Sequence, residues 1–368
     1  MTSQTVKGAR ARRSDGHTRL SQLDGLRALA ILMVVGFHLA GVSWGWTGVQ
    51  IFFVLSGFLI TGILRHSRHD AQFWGPFYIK RVTRILPPVV IFFVIMTVIG
   101  EMHWKTTGLG YVLFLANFIQ AMPGTPMSSV GVTWSLAVEE HFYFLWPFAV
   151  RFLPRNALLL LATGVVLVSP LARVLATPHL STWRPIYYWT PFQIDGLALG
   201  SLISLLMEDE TSRRWMKRTA WLIFSAPMLV LVLLARTFAQ YRYTANSTLF
   251  NGTAYSLIVL ASAGIVLVLV LHPTSLLSRV FSAKPLVFVG MVSYGLYLFH
   301  LPIMERVQVL MQQHGFLHPL RNETIALAVA ILFAWLSFRF YEQPIVRWGR
   351  ARAKAMVASN TPSVATEA

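Results

Sequence analysis

Apolar positions along this chain fall in long continuous blocks, not in the short alternating runs or narrow helical stripes of a soluble core. Eleven blocks are legible, at about 26–43, 48–64, 86–100, 109–121, 134–150, 157–175, 190–207, 219–235, 253–271, 287–304 and 324–341. Most come close to the ~17–25 residues that cross ~30 Å of hydrocarbon as a helix. No water enters that layer, so each segment must satisfy its own backbone hydrogen bonds. The pattern therefore predicts an all-α, polytopic membrane helical bundle. Block 109–121 is the shortest, and the predicted architecture is about ten transmembrane helices plus one short re-entrant or interfacial segment. The flanks are polar, so residues 1–22 read as a disordered basic N-terminal tail and residues 346–368 as a cytoplasmic C-terminal tail. Residues 23–345 form one membrane domain.

Composition agrees: 55% of the 368 residues are hydrophobic and 12% charged, against about a quarter charged in soluble domains. The net charge of +17 would suggest nucleic acid in a soluble protein. Here the basic residues sit in the short connections between apolar blocks, and no recognition motif occurs, so the expected partner is the lipid bilayer and not nucleic acid. If block 109–121 does not cross, 24 of the 31 basic residues collect on one side and 7 on the other. If it does cross, the division becomes 17 against 14, which carries almost no orientation signal. Ten crossings with both termini cytoplasmic follow. Arg12 and Arg13 precede the first block, but that block contains Arg27 and His38 and is followed by further spans, so it reads as a retained helix and not a cleaved leader. There are no cysteines, which removes disulfides, cysteine-bound metals and a cysteine nucleophile.

Ionisable groups inside spans are expensive and usually functional. His38 lies roughly 18 Å into the first helix, counted from Leu26. Two readings stand for it, a structural hydrogen-bonder between helices and a base active near neutrality. Glu139 and Glu140 follow Trp134-Ser-Leu-Ala-Val at the start of the fourth crossing and are expected at a similar depth. Adjacent residues diverge by about 100° on a helix, so only one of the two can face His38. Arg81 and Arg84, spaced i, i+3 at the cytoplasmic mouth of the third crossing, can converge on one anionic ligand. Their alternative role is positive-inside anchoring. Ser56, in a small-residue and aromatic stretch of the second block, has no triad context. With Trp134, Tyr143, Tyr297 and His300 it is a candidate lining residue. No H-E-x-x-H spacing occurs, and no metal site is predicted.

Taken together, Leu23-Asp-Gly-Leu-Arg-Ala-Leu-Ala-Ile with His38, then Phe52-Phe-Val-Leu-Ser-Gly-Phe-Leu-Ile-Thr, Arg81-Val-Thr-Arg, Trp134-Ser-Leu-Ala-Val-Glu-Glu-His-Phe-Tyr and Ser293-Tyr-Gly-Leu-Tyr-Leu-Phe-His resemble the acyltransferase-3 family of integral membrane acyltransferases. The resemblance runs from about residue 20 to residue 345. It implies transfer of a short acyl group, often acetyl, from acyl-CoA as co-substrate to a hydroxyl of a sugar, glycolipid, polysaccharide or glycosylated natural product. It implies no permanently bound cofactor and a bacterial-type plasma membrane. In the family the first-helix histidine and the R-x-x-R pair are tied to activity, and here they correspond to His38 and to Arg81 with Arg84. Some relatives carry an appended extracytoplasmic hydrolase-like domain. The sequence read here shows none, which favours a small, diffusible or lipid-linked acceptor. The expected chemistry has His38 as general base, oriented by Glu139 or Glu140. The competing class is a carrier or permease using His38 and the two glutamates as a proton relay. The absence of an internal repeat or of paired broken helices weakens that class.

Overall fold

The computed structural model describes residues 20–238, 241–315 and 318–358. It is 84% helical, with no strand among the described residues. The long helices, in chain order, are α1 (Ser21–Ala40), α2 (Gly48–His66), α3 (Trp74–Val98), α4 (Trp134–Phe152), α5 (Arg155–Ala176), α6 (Asp195–Leu206), α7 (Glu210–Thr237), α8 (Thr248–Leu271), α9 (Lys284–Met291), α10 (Ser293–Gln313), α11 (Pro319–Ser337) and α12 (Gln343–Ala358). We call the face where α1 begins proximal and the face where it ends distal.

Among the described residues, seven helices are long and apolar enough to cross a membrane, or eight if α9 and α10, bent by 72° about Val292, make one span. The sequence pattern predicts ten, and the difference lies in two blocks. α4 has 19 residues but carries Glu139, Glu140 and Arg151. Block 190–207 is interrupted at Ile194, a turn residue between a four-residue helix (Thr190–Gln193) and α6, which leaves α6 only 12 residues, roughly 18 Å. Both helices nevertheless run toward the proximal face. There Arg65, at the end of α2, pairs with Glu208, just beyond α6, at 2.8 Å, and Arg68 donates to the Leu153 carbonyl beyond α4 at 2.7 Å.

Block 109–121 is not one helix. It forms a π-helical turn (Trp104–Gly108) and two short helices (Leu109–Val112 and Ala116–Ala121), interrupted at Phe114, whose φ of 56° is left-handed. Within the C-terminal tail expected from residue 346, the described residues are helical to Ala358, and α12 lies against α3. The N-terminal tail, apart from its last three residues, lies outside the described residues.

Close helix approach fixes the centre of the bundle. A Cβ on Gly57 of α2 would stand 1.9 Å from the Leu197 carbonyl oxygen of α6, and one on Gly200 of α6 would stand 2.1 Å from that of Val54. Only glycine lets these backbones touch, as small residues do at membrane helix interfaces. Behind them Arg173 is fully buried in α5. Its Nη2 lies 2.8 Å from Asp195 Oδ2 and 2.9 Å from Ser256 Oγ, while Nε and Nη1 donate to the carbonyls of Asn251 (3.0 Å) and Phe192 (2.5 Å). Arg173 is one of the seven basic residues counted on the distal side, although it lies near the end of block 157–175. The structure corrects this: the residue belongs to the bundle interior, and its charge is matched there.

Candidate active site

Two polar clusters face the interior, one from each side. The distal cluster opens on a cavity of about 80 Å³. Its wall is aromatic, with Trp46, Trp134, Tyr187, Tyr243 and Tyr297 around His38. Trp46 is carried by the short turn Gly45–Thr47 and Trp134 by the first turn of α4, so the connections before α2 and α4 shape the cavity.

His38 and His300 form the reactive part of that wall. His300 is fully buried, and its Nδ1 lies 2.7 Å from the Tyr297 carbonyl oxygen. A carbonyl only accepts, so this nitrogen carries the proton and Nε2 of His300 is left as an acceptor. Nδ1 of His38 lies 3.0 Å from the Val34 carbonyl oxygen and 3.2 Å from His300 Nε2. It therefore donates to both, and the lone pair of His38 is on Nε2. The ring is exposed to the cavity, and this lone pair is the base available there. Below it Ser135 donates to the Tyr297 hydroxyl (2.7 Å), which donates to the Val132 carbonyl (2.9 Å).

The second cluster is built by α1, α2, α3 and α4. The Tyr143 hydroxyl donates to Ser56 Oγ (3.0 Å), which donates to Glu139 Oε1 (2.5 Å). Arg27, Arg81 and Arg84 stand within electrostatic reach of Glu139. The Arg81 guanidinium lies over the rings of Phe77 and Tyr143, each 5.9 Å away. Its Nε is buried without a hydrogen-bond partner among the described residues, as is Glu140 Oε1. Arg84 is exposed and hydrogen-bonds to none of the described residues. Glu342 approaches the same arginine from a π-helical turn (Phe338–Glu342) that joins α11 to α12. It is 6% exposed and accepts from Ser337 Oγ at 2.9 Å. π turns recur at functional sites because they push one side chain out of helical register.

The candidate residues thus divide into two groups. His38, Trp134, Tyr297 and His300 belong to the distal cluster, while Ser56, Tyr143, Glu139, Glu140, Arg81 and Arg84 surround the second. The glutamates do not orient His38, contrary to the reading from depth. Residues 129–133 are buried, with Ser129 bonded to Glu305 and Val132 to Tyr297, so α4 starts well inside the bundle and Glu139 is carried deeper. Glu139 therefore meets Arg27, eleven residues and roughly 16 Å along α1 from His38. Arg27 and Glu342 were missed as site residues. Arg27 is an ionisable residue within block 26–43, the signal that selected His38, whereas Glu342 falls one residue beyond block 324–341.

A family model for an acyltransferase domain matches residues 20–339. The peptidoglycan O-acetyltransferase OatA of Listeria monocytogenes is 29% identical over 89% of this chain and 56% of its own length. The O-acetyltransferase OatA of Staphylococcus aureus is 27% identical over 90% of this chain and 58% of its own, and the putative peptidoglycan O-acetyltransferase YrhL of Bacillus subtilis is 29% identical over 89% and 55%. The chain thus spans little more than half the length of these relatives. No solved structure matches it. A match over most of the chain, enclosing the histidine pair of α1 and α10 and the arginines of α3, shows that this multi-pass membrane protein belongs to the acyltransferase-3 family.

Proposed function

We propose that the protein is an acyl-CoA-dependent O-acetyltransferase that modifies a hydroxyl of a cell-wall glycan, taking its donor from the proximal side and its acceptor at the distal cavity. The observation that carries this reading is the free Nε2 of His38 on one side of the bundle with three arginines on the other, where Arg81 Nε and Arg84 have no hydrogen-bond partner among the described residues and Arg27 pairs with Asp24 at 3.3 Å. Arg84, Arg81 and Arg27 would hold the phosphates of coenzyme A through charge-assisted hydrogen bonds. A donor of this kind needs a long narrow arm to reach His38, and the phosphopantetheine arm is one.

The transfer itself then needs few parts. The acceptor oxygen attacks the thioester carbonyl while His38 Nε2 takes the hydroxyl proton. The C–S bond breaks, and the thiolate leaves and receives that proton, giving an ester and free thiol. The imidazolium formed in between keeps Nδ1–H on Val34 and His300, so no reorganisation is required as charge develops. The aromatic wall offers flat apolar faces to a sugar ring, in keeping with the relatives named as peptidoglycan acetyltransferases.

With Arg173 in the interior, the 24 to 6 division of the remaining basic residues supports ten crossings, counting α4 and the α6 region, with the proximal face and both termini cytoplasmic. The test is reconstitution in proteoliposomes with acetyl-labelled acetyl-CoA and peptidoglycan fragments. Label transfer with release of free thiol, abolished in His38→Ala, is the expected result. Thiol release that is unchanged in that variant, or label that never reaches a glycan, would overturn the reading.

A further inference from the structure

A second concave site lies apart from both clusters, at the proximal edge of the bundle. Phe288 and Met291 at the end of α9, Trp335 at the end of α11 and Phe338 of the π turn line a groove of about 320 Å³, together with Arg339 and Arg347. No carboxylate lines it. Arg339 and Arg347 are both exposed. Arg339 donates to Gln343 Oε1 at 3.3 Å, and Arg347 hydrogen-bonds to none of the described residues. The two arginines are eight positions apart, roughly 12 Å of helix rise, and both border this one groove. α12 continues the positive surface, with Arg350 and Lys354 within electrostatic reach of Lys80.

The floor and the rim ask for different chemistry in one ligand. Aromatic and thioether walls suit a hydrocarbon chain, and two guanidinium groups suit a phosphate diester. A water-soluble anion would leave the floor uncovered, and a neutral lipid would leave the rim uncompensated. The groove opens where the apolar block of α11 gives way to the basic residues of α12, the level at which lipid headgroups meet protein. We propose that it binds one anionic phospholipid, with the phosphate between Arg339 and Arg347 and an acyl chain along Phe288, Met291 and Trp335. The bound lipid braces the bend between α9 and α10 against the π turn that presents Glu342.

Native mass spectrometry of the full chain in detergent tests this, with phosphatidylglycerol, phosphatidylcholine of the same acyl chains, or glycerol 1-phosphate added. One phosphatidylglycerol should be retained in preference to phosphatidylcholine, and glycerol 1-phosphate should not be retained. Each basic residue near a membrane surface contributes about a fivefold preference, so Arg339→Gln with Arg347→Gln should weaken retention more than tenfold. Arg213→Gln with Arg214→Gln, which removes two charges from the same face, should leave it unchanged. Met291→Trp, which fills the floor and keeps the rim, should also weaken retention. Equal retention of the two lipids, equal loss in the Arg213 and Arg214 variant, or undiminished binding in Met291→Trp would each overturn the proposal.

Discussion

His300 Nε2 lies 3.2 Å from His38 Nδ1, and this contact fixes which nitrogen of His38 faces the cavity as a base. His300 is itself fixed by the Tyr297 carbonyl at 2.7 Å, so the tautomer of one ring dictates that of the other. General-base catalysis contributes ~10²- to 10⁴-fold, so His38→Ala should lower turnover by that order with little change in donor KM. His300→Ala should lower kcat by roughly tenfold or more, since the ring of His38 is then held by Val34 alone. His300→Gln, whose amide oxygen can accept from Nδ1, should recover part of the loss. Equal turnover in the alanine and glutamine variants would show that His300 merely fills space.

Arg81 and Arg84 should act on the donor. A hydrogen bond to a charged group contributes on the order of 1.5–3 kcal/mol, so Arg84→Ala should raise the KM for acyl-CoA by roughly ten- to a hundredfold. Lysine should substitute poorly at position 81, because the guanidinium of Arg81 also lies over the rings of Phe77 and Tyr143. An unchanged donor KM in both alanine variants would reduce the pair to topological anchors.

Glu139 separates the expectation from sequence from the geometry. A carboxylate orienting His38 would affect kcat when replaced by Gln. In the structure Glu139 accepts from Ser56 and lies among Arg27, Arg81 and Arg84, so Glu139→Gln should act chiefly on donor KM. A kcat defect as large as that of His38→Ala, with donor KM unchanged, would restore the first reading.

The helical class and most of its boundaries were legible because long apolar blocks leave the backbone no other solution. Arg81 and Arg84 were legible because their i, i+3 spacing survives in α3, which is continuous through Pro87 and Pro88. The pairing of His38 was not. It depends on α10 bringing His300 alongside α1 across 262 positions of sequence, and depth along a helix says nothing about the angle at which neighbours face. The depth of Glu139 failed for a related reason. Hydropathy marks where an apolar block starts, but not that residues 129–133 are buried ahead of it. Arg173 was counted with the distal charges because its partner Asp195 lies in a different block, so nothing in the sequence shows that its charge is matched in the interior.

Topology can be checked with reporters. Fusions after residues 128 and 245 should read as extracytoplasmic, and those after 68, 212 and 355 as cytoplasmic. The crossings these fusions bracket most directly are α4 and the α6 region, which are charged and short respectively. Reversal of the reading at 212 relative to 68 would show that one of them does not cross.

The Arg173–Asp195 pair should be a stability element and not part of the chemistry. Both side chains are buried, at 0% and 3% exposure, and the arginine also satisfies two backbone carbonyls. Removing one partner of a buried pair costs about 3–5 kcal/mol, because the survivor is left as an uncompensated charge. Arg173→Met should therefore destabilise strongly, orphaning Asp195 and the carbonyls of Asn251 and Phe192 together. Asp195→Asn should cost less, since the amide oxygen still accepts from Nη2. The combined Arg173→Met and Asp195→Asn variant should recover part of the loss in Arg173→Met, because no lone carboxylate remains. Thermal unfolding in detergent gives the order, and activity per folded molecule should stay near that of the parent protein in Asp195→Asn. A protein with normal thermal stability after Arg173→Met would mean that the charge is solvated, and would place Arg173 back in a distal connection.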